Sequence, residues 1–85
     1  MTIANKTSGK VYVYSGIGWK VRGSSVDDPV LRAIVDPGQE VEEFMWFDHR
    51  SLGSNSVDAL EDVEGTILVE DYDTGAIVGE YAFTA

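Results

Sequence analysis

Short runs of β-branched and aromatic residues, broken every few positions by Gly, Ser, Asp or Pro, constrain this chain more than any other feature. Such side chains sit well on a pleated surface and lose rotamer freedom in a helix. Lys10-Val11-Tyr12-Val13-Tyr14 is the clearest case, opened by Ser8-Gly9 and closed by Ser15-Gly16. In the next run Ile17, Trp19 and Val21 alternate with Gly18, Lys20 and Arg22, which predicts one apolar and one polar side. Gly23 to Pro29 reads as a loop. Val30 to Val35 is a third strand, with Arg32 outward, and it ends at the turn Asp36-Pro37-Gly38.

Glu40 to Phe47 is predicted as a fourth strand. Its second half, Phe44-Met45-Trp46-Phe47, is apolar at every position, so it is either buried on both faces or an exposed patch. Asp48 to Asn55 is polar and loop-like. The one helical signal is 56–63, where Ser56 is placed to cap and Val57, Leu60 and Val63 follow helical spacing. Residues 65–71 and 76–83 flank Tyr72-Asp73-Thr74-Gly75 as a β-hairpin, with Ile67, Val69, Ile77, Tyr81 and Phe83 as inward side chains. The expectation is a single mainly all-β domain over 1–85: a small antiparallel β-sandwich or barrel of about six to seven short strands, with one short helix near 56–63.

A chain of 85 residues buries only about 60% of its unfolded surface, and domains of this size often lean on disulfides or a metal. With no cysteine, disulfides, thiolate metal sites and thiol catalysis are excluded. Stability has to come from apolar packing. Residues 1–6 offer no apolar run for a signal peptide, and no stretch has the roughly 18–20 apolar residues of a membrane span. A cytoplasmic location is the expectation, or secretion if a leader has been removed.

Charge is the most unusual property. The net charge is −9, and it is unevenly spread along the chain. Residues 1–26 carry Lys6, Lys10, Lys20 and Arg22 with no acid, whereas residues 27–85 carry all fifteen acids against Arg32 and Arg50. Such a chain repels nucleic acid and anionic membranes at long range and attracts basic partners, so direct nucleic-acid binding is not expected.

Several motifs resemble chemistry that their surroundings do not support. Asp73-Thr74-Gly75-Ala76 is the tetrapeptide of retroviral-type aspartic proteases, whose chemistry needs two aspartates sharing a proton. In those enzymes an apolar strand runs into the Asp. Here Glu70, Asp71 and Tyr72 precede it, and a hairpin turn accounts for the letters. Asp71 and Asp73 are candidate Ca²⁺ ligands, but apolar residues stand where an EF-hand would place further oxygens. Asp48-His49-Arg50-Ser51 has triad letters, yet neighbours in sequence cannot converge as a triad does. His49 is the only histidine, so a multi-His site within one chain is excluded. Gly16-Ile17-Gly18 and Gly23-Ser24-Ser25 lack the lysine and helix of a phosphate loop. Asn5-Lys6-Thr7 is a formal N-glycosylation acceptor. No catalytic set, cofactor motif or firm metal site is left, and the chain is read as a non-enzyme.

Two groups of side chains remain as binding candidates. Tyr12, Tyr14, Trp19, Trp46 and Tyr72 exceed what one small core needs, and the first four are the binding candidates, since exposed Tyr and Trp suit protein interfaces and sugar stacking. Asp58, Glu61 and Asp62 share helical spacing, with Glu64, Glu70, Asp71 and Asp73 following, so an acidic face is the second candidate. The segments Ile3-x-Asn5-x-Thr7, Lys10 to Tyr14 and Asp36-Pro37-Gly38-Gln39 are similar to the first strands of several small β-sandwich lectins and pore-forming proteins. That likeness covers under half the chain and carries over no functional residue.

The leading expectation is a non-catalytic interaction module for a protein partner, basic or a second copy of the chain. Alternatives are an acidic nucleic-acid mimic that inhibits a DNA- or RNA-binding protein, and a sugar-binding or membrane-active β-sandwich.

Overall fold

The computed structural model describes residues 1–48 and 62–84. Within them the chain is all-β, with eight strands in two antiparallel sheets arranged as a small sandwich. The strands are β1 (Thr2–Ala4), β2 (Val11–Ser15), β3 (Lys20–Val21), β4 (Ser24–Ser25), β5 (Arg32–Val35), β6 (Glu40–Glu42), β7 (Val63–Asp71) and β8 (Ile77–Thr84). Most of the helix expected over 56–63 lies outside the described residues, but Val63 itself opens β7. No helix among the described residues is long and apolar enough to cross a membrane.

The larger sheet is built around β7. Along one edge β7 pairs with β2 over Ile67–Asp71 and then with β3 over Val63–Glu64. Along the other it pairs with β8 from Glu64 to Glu70. β5 extends the sheet beyond β2, and β4 beyond β3. The smaller sheet is the pair β1–β6, with Ile3 opposite Val41.

Alternation decides what is inside. Val11 and Val13 of β2 are buried, as are Leu31, Ala33 and Val35 along and just before β5. With Ile67 and Val69 of β7, the residues Val11, Val13, Ala33 and Val35 pack against Ile3 and Val41 of the small sheet. A second cluster joins Trp19, Val21 and Val63 to Met45, Phe47, Ile67 and Phe83. Trp19 is its centre: the indole N–H donates to the Gly16 carbonyl at 2.9 Å, and the ring meets those of Phe47 and Phe83 at 6.0 and 5.5 Å between centroids. Gly65 sits directly beneath, where a Cβ would overlap the indole. The close approach of ring to backbone is what requires glycine there.

Asn5 is the only buried polar side chain among the described residues, and all its hydrogen-bonding capacity is used. Its Nδ2 donates to the carbonyls of Gly9 and Val35 at 2.8 and 2.9 Å. Its Oδ1 accepts from the Thr7 N–H and hydroxyl at 3.0 and 2.6 Å. The formal glycosylation acceptor is therefore a buried strut in the folded chain, its amide nitrogen turned onto two carbonyls.

Four local expectations need correction. The alternation from Ile17 holds only from Trp19: Ile17 is 84% exposed, and β3 is just Lys20–Val21. The expected loop after Gly23 contains β4, which returns on β3 through a two-residue turn with Arg22 and Gly23 both at positive φ (51° and 78°). That is the turn geometry whose twist matches a tight hairpin. The expected strand Glu40 to Phe47 is regular only to Glu42, after which a single bridge joins Trp46 to Val30. In the C-terminal hairpin β8 is extended as expected, but a bulge shifts the register between Val69 and Glu70. Ile77 therefore opposes Glu70 and not an inward residue of β7.

Candidate functional site

The large sheet has a side that the β1–β6 pair does not cover. On it stand the even-numbered residues of β2, β5 and β7, because their odd-numbered neighbours are turned to the core. Cross-strand register sets them in two rows. One runs Ile34–Tyr12–Glu70–Ile77 and the other Arg32–Tyr14–Leu68–Glu80, each across four strands. With strands about 4.8 Å apart, a row is roughly 14 Å wide.

The alternation continues past the end of β5. Val30 and Trp46 exchange both backbone hydrogen bonds, at 2.7 and 3.0 Å, so their side chains lie side by side. Leu31, Met45 and Phe47 are turned inward, whereas Val30, Phe44 and Trp46 are open to solvent, the last two by 71% and 68%. Of the two readings left open for Phe44 to Phe47, the chain takes the exposed patch on one side and core on the other. Val30, Ile34, Trp46 and Ile77 are all more than half exposed and belong to this uncovered side by register, and Phe44, exposed as well, lies two residues before Trp46.

Tyr12 and Tyr14 form its centre. Both are half-buried, and their rings stack with centroids 5.1 Å apart and planes 26° from parallel. The Tyr14 hydroxyl donates to Glu70 Oε1 at 2.6 Å. That bond, with further contributions from desolvation and the nearby negative charge, holds the Tyr14 hydroxyl above the ordinary tyrosine range. The phenol therefore remains a donor and keeps Glu70 turned toward the rings. Beyond Tyr12, a shallow hollow of about 470 Å³ is lined by Tyr12, Arg32, Ile34, Glu43 and Tyr72. Lys10 lies 5.0 Å over the Tyr72 ring and 3.7 Å from Asp36. The side thus joins flat aromatic and apolar area to the cation Arg32 and the anions Glu70 and Glu80, with Lys10 over Tyr72 and Lys20 opposite Glu64 farther out.

Of the four aromatic candidates read from sequence, Tyr12 and Tyr14 lie at the centre of this side and Trp46 at its rim. Trp19 does not belong to it: it is 1% exposed and is the largest fully buried side chain among the described residues. Alternation with Gly18, Lys20 and Arg22 sets Trp19 on the apolar side of its run, whereas Trp46 stands in a run that is apolar at every position and gives no such sign. Val30, Ile34 and Phe44 were missed as binding candidates. For Val30 and Ile34 the signal was the outward Arg32 two positions from each, obscured because most positions of that strand are apolar; for Phe44 it was the place two residues before Trp46.

Of the acidic candidates, Asp58 and Glu61 lie outside the described residues, as does His49. Asp62 is exposed at positive φ, 57°. Glu64 and Glu70 share a side of β7 but stand about 20 Å apart along it. Asp71 opposes Val11 and so belongs to the other side of the sheet. Its Oδ1 accepts from the N–H groups of Asp73 and Thr74 at 2.9 and 3.1 Å, so Asp71, and not Asp73, organises the hairpin turn. Asp73 is exposed within that turn. Asp71 and Asp73 gather no further ligands: no group of three or more His, Cys, Asp or Glu placed to hold a metal occurs among the described residues.

No protein-family model, curated protein or solved structure matches the chain.

Proposed function

We propose that this chain is a non-catalytic interaction module that binds a protein partner through the uncovered side of its large sheet. The observation that supports this most directly is the exposure of Trp46 beside Val30, on the same side of the sheet as Ile34 and the Tyr12–Tyr14 stack, with exposed Phe44 two residues away. Large aromatic side chains left in water cost solvation free energy that a partner would recover, and Trp, Tyr and Arg are the types that dominate interface energetics. Arg32, Glu70 and Glu80 at the same surface would set the partner's orientation.

The test compares capture of proteins from the native host by the wild-type chain and by a Phe44→Ser/Trp46→Ser double variant, at low and at high salt. The reading expects a partner retained at high salt and lost from the double variant, with near-ultraviolet circular dichroism showing the Trp19 core intact. Loss of two exposed aromatic anchors together corresponds to about 2 kcal/mol or more, roughly thirtyfold in affinity. Equal retention by both chains would refute it, and retention that vanishes with salt alone would favour the acidic-mimic alternative.

A further inference from the structure

β8 is hydrogen-bonded to β7 along one edge, and no described strand pairs with its other edge. Backbone parity fixes what that edge offers. The Gly16 N–H donates to the Thr66 carbonyl at 2.7 Å, so Thr66 turns its main-chain groups away from β8. Its partner in β8, Ala82, then turns its own N–H and C=O outward. By the period of two, Glu80 and Thr84 do the same, while Gly79, Tyr81 and Phe83 bond to β7.

Natural edge strands are usually blunted by brevity, lysine or proline. β8 runs for eight residues with no Lys, Arg or Pro, and among the described residues its protection is limited to Glu80 and the bulge at Ile77–Val78. Three of its apolar side chains, Ile77, Val78 and Tyr81, are more than half exposed. On the inner side Tyr81 borders an apolar hollow of about 440 Å³ between the two sheets, lined also by Ile3, Val13, Ile67 and Val69. Charge narrows the choice of occupant. Residues 62–84 hold Asp62, Glu64, Glu70, Asp71, Asp73 and Glu80 and no Lys or Arg. A second copy would bring another −9 to the same edge.

We infer that the outer edge of β8 takes up an extended segment of a cationic partner protein as an additional strand, with apolar side chains alternating with Lys or Arg. The apolar positions lie beside Tyr81 and over the hollow between the sheets. The basic positions stand on the opposite side, next to Glu80. Main-chain hydrogen bonds to Glu80, Ala82 and Thr84 supply the register, as in other cases of strand addition. This goes beyond the interaction surface proposed above, because it uses the edge of the sheet and leaves Phe44 and Trp46 uninvolved.

The probe is a capped, fluorescently labelled peptide of alternating Val and Lys, about nine residues long to match the reach of β8. It is titrated into the full chain, with anisotropy and backbone amide shifts as readouts. Saturable binding is expected, with shifts concentrated at Glu80, Ala82 and Thr84. Ala82→Pro removes an outward N–H without touching the β7 ladder, and should weaken binding by about tenfold or more. Glu80→Lys should do so too and serves alone if the proline variant does not fold. The Phe44→Ser/Trp46→Ser variant should bind as the wild type does. Equal binding of a Val/Glu peptide, shifts located elsewhere, or indifference to both β8 variants would overturn the inference. Dimers of the chain joined through β8 would also overturn it, by giving the edge to a second copy.

Discussion

Of the described glycines, Gly65 is the one most closely approached by another side chain, the Trp19 ring, and the pair divides its stability between a ring and a missing side chain. The indole fills the space a Cβ would need, and its N–H is satisfied locally by Gly16. Gly65→Ala must therefore push either the ring or β7 aside. Overpacking of this kind costs about 1–3 kcal/mol. Urea denaturation followed by Trp fluorescence should show the midpoint falling by that equivalent, while Gly9→Ala, at a position with nothing near an added Cβ, leaves it almost unchanged. Asn5 makes the complementary point for polar groups. Read as a sequence, Asn5-Lys6-Thr7 is an acceptor for sugar, and only the carbonyls of Gly9 and Val35, the latter thirty positions away, reveal it as a strut. The donor count of one side chain is visible in a sequence; where its partners stand is not.

Among the elements, those with strong local signals were legible. β2 and the β7–β8 hairpin follow from alternation bounded by turn residues, and the hairpin loop falls where Tyr72 to Gly75 places it. β1 and β4 were not legible, because strands of three and two residues carry too short a pattern and exist through their partners. The bulge opposite Glu70 escaped for a similar reason: it is a property of two strands in register, and β8 alone does not display it. The candidate surface was half legible. Tyr12 and Tyr14 were placed by alternation and Trp46 was named among the aromatic candidates, but which positions of Phe44 to Phe47 are exposed required knowing that Met45 and Phe47 reach the Trp19 cluster. The β3–β4 turn offers a test at this scale. Arg22 holds a positive φ that suits Asn far better than a long side chain. Arg22→Asn should raise stability by roughly 0.5–1 kcal/mol, read as an upward shift of the denaturation midpoint with an unchanged denaturant slope.

For the whole molecule, the dominant fact is a charge of −9 on a body 43 × 22 × 18 Å. At about 0.01 M salt the Debye length is roughly 30 Å, so the acids repel one another across most of the structure. Near 0.15 M it falls to roughly 8 Å and only neighbours interact. The thermal midpoint should therefore rise between these two conditions, and calorimetry at constant pH measures it. A midpoint that fell with salt would mean that attractive pairs, such as Lys10 with Asp36, outweigh the repulsion.

The double pairing of β7 has a kinetic consequence. Its partners on one edge, β2 and β3, stand some forty to sixty positions earlier, as Tyr14 and Glu70 illustrate with a separation of 56. Closing loops of that length before any bond rewards them is slow, so refolding belongs in the millisecond-to-second range of sheet proteins and not with fast helical bundles. Once closed, β7 has neighbours on both sides, and its inner amides can meet solvent only when the whole sheet opens. They should be the last in the chain to exchange hydrogen for deuterium.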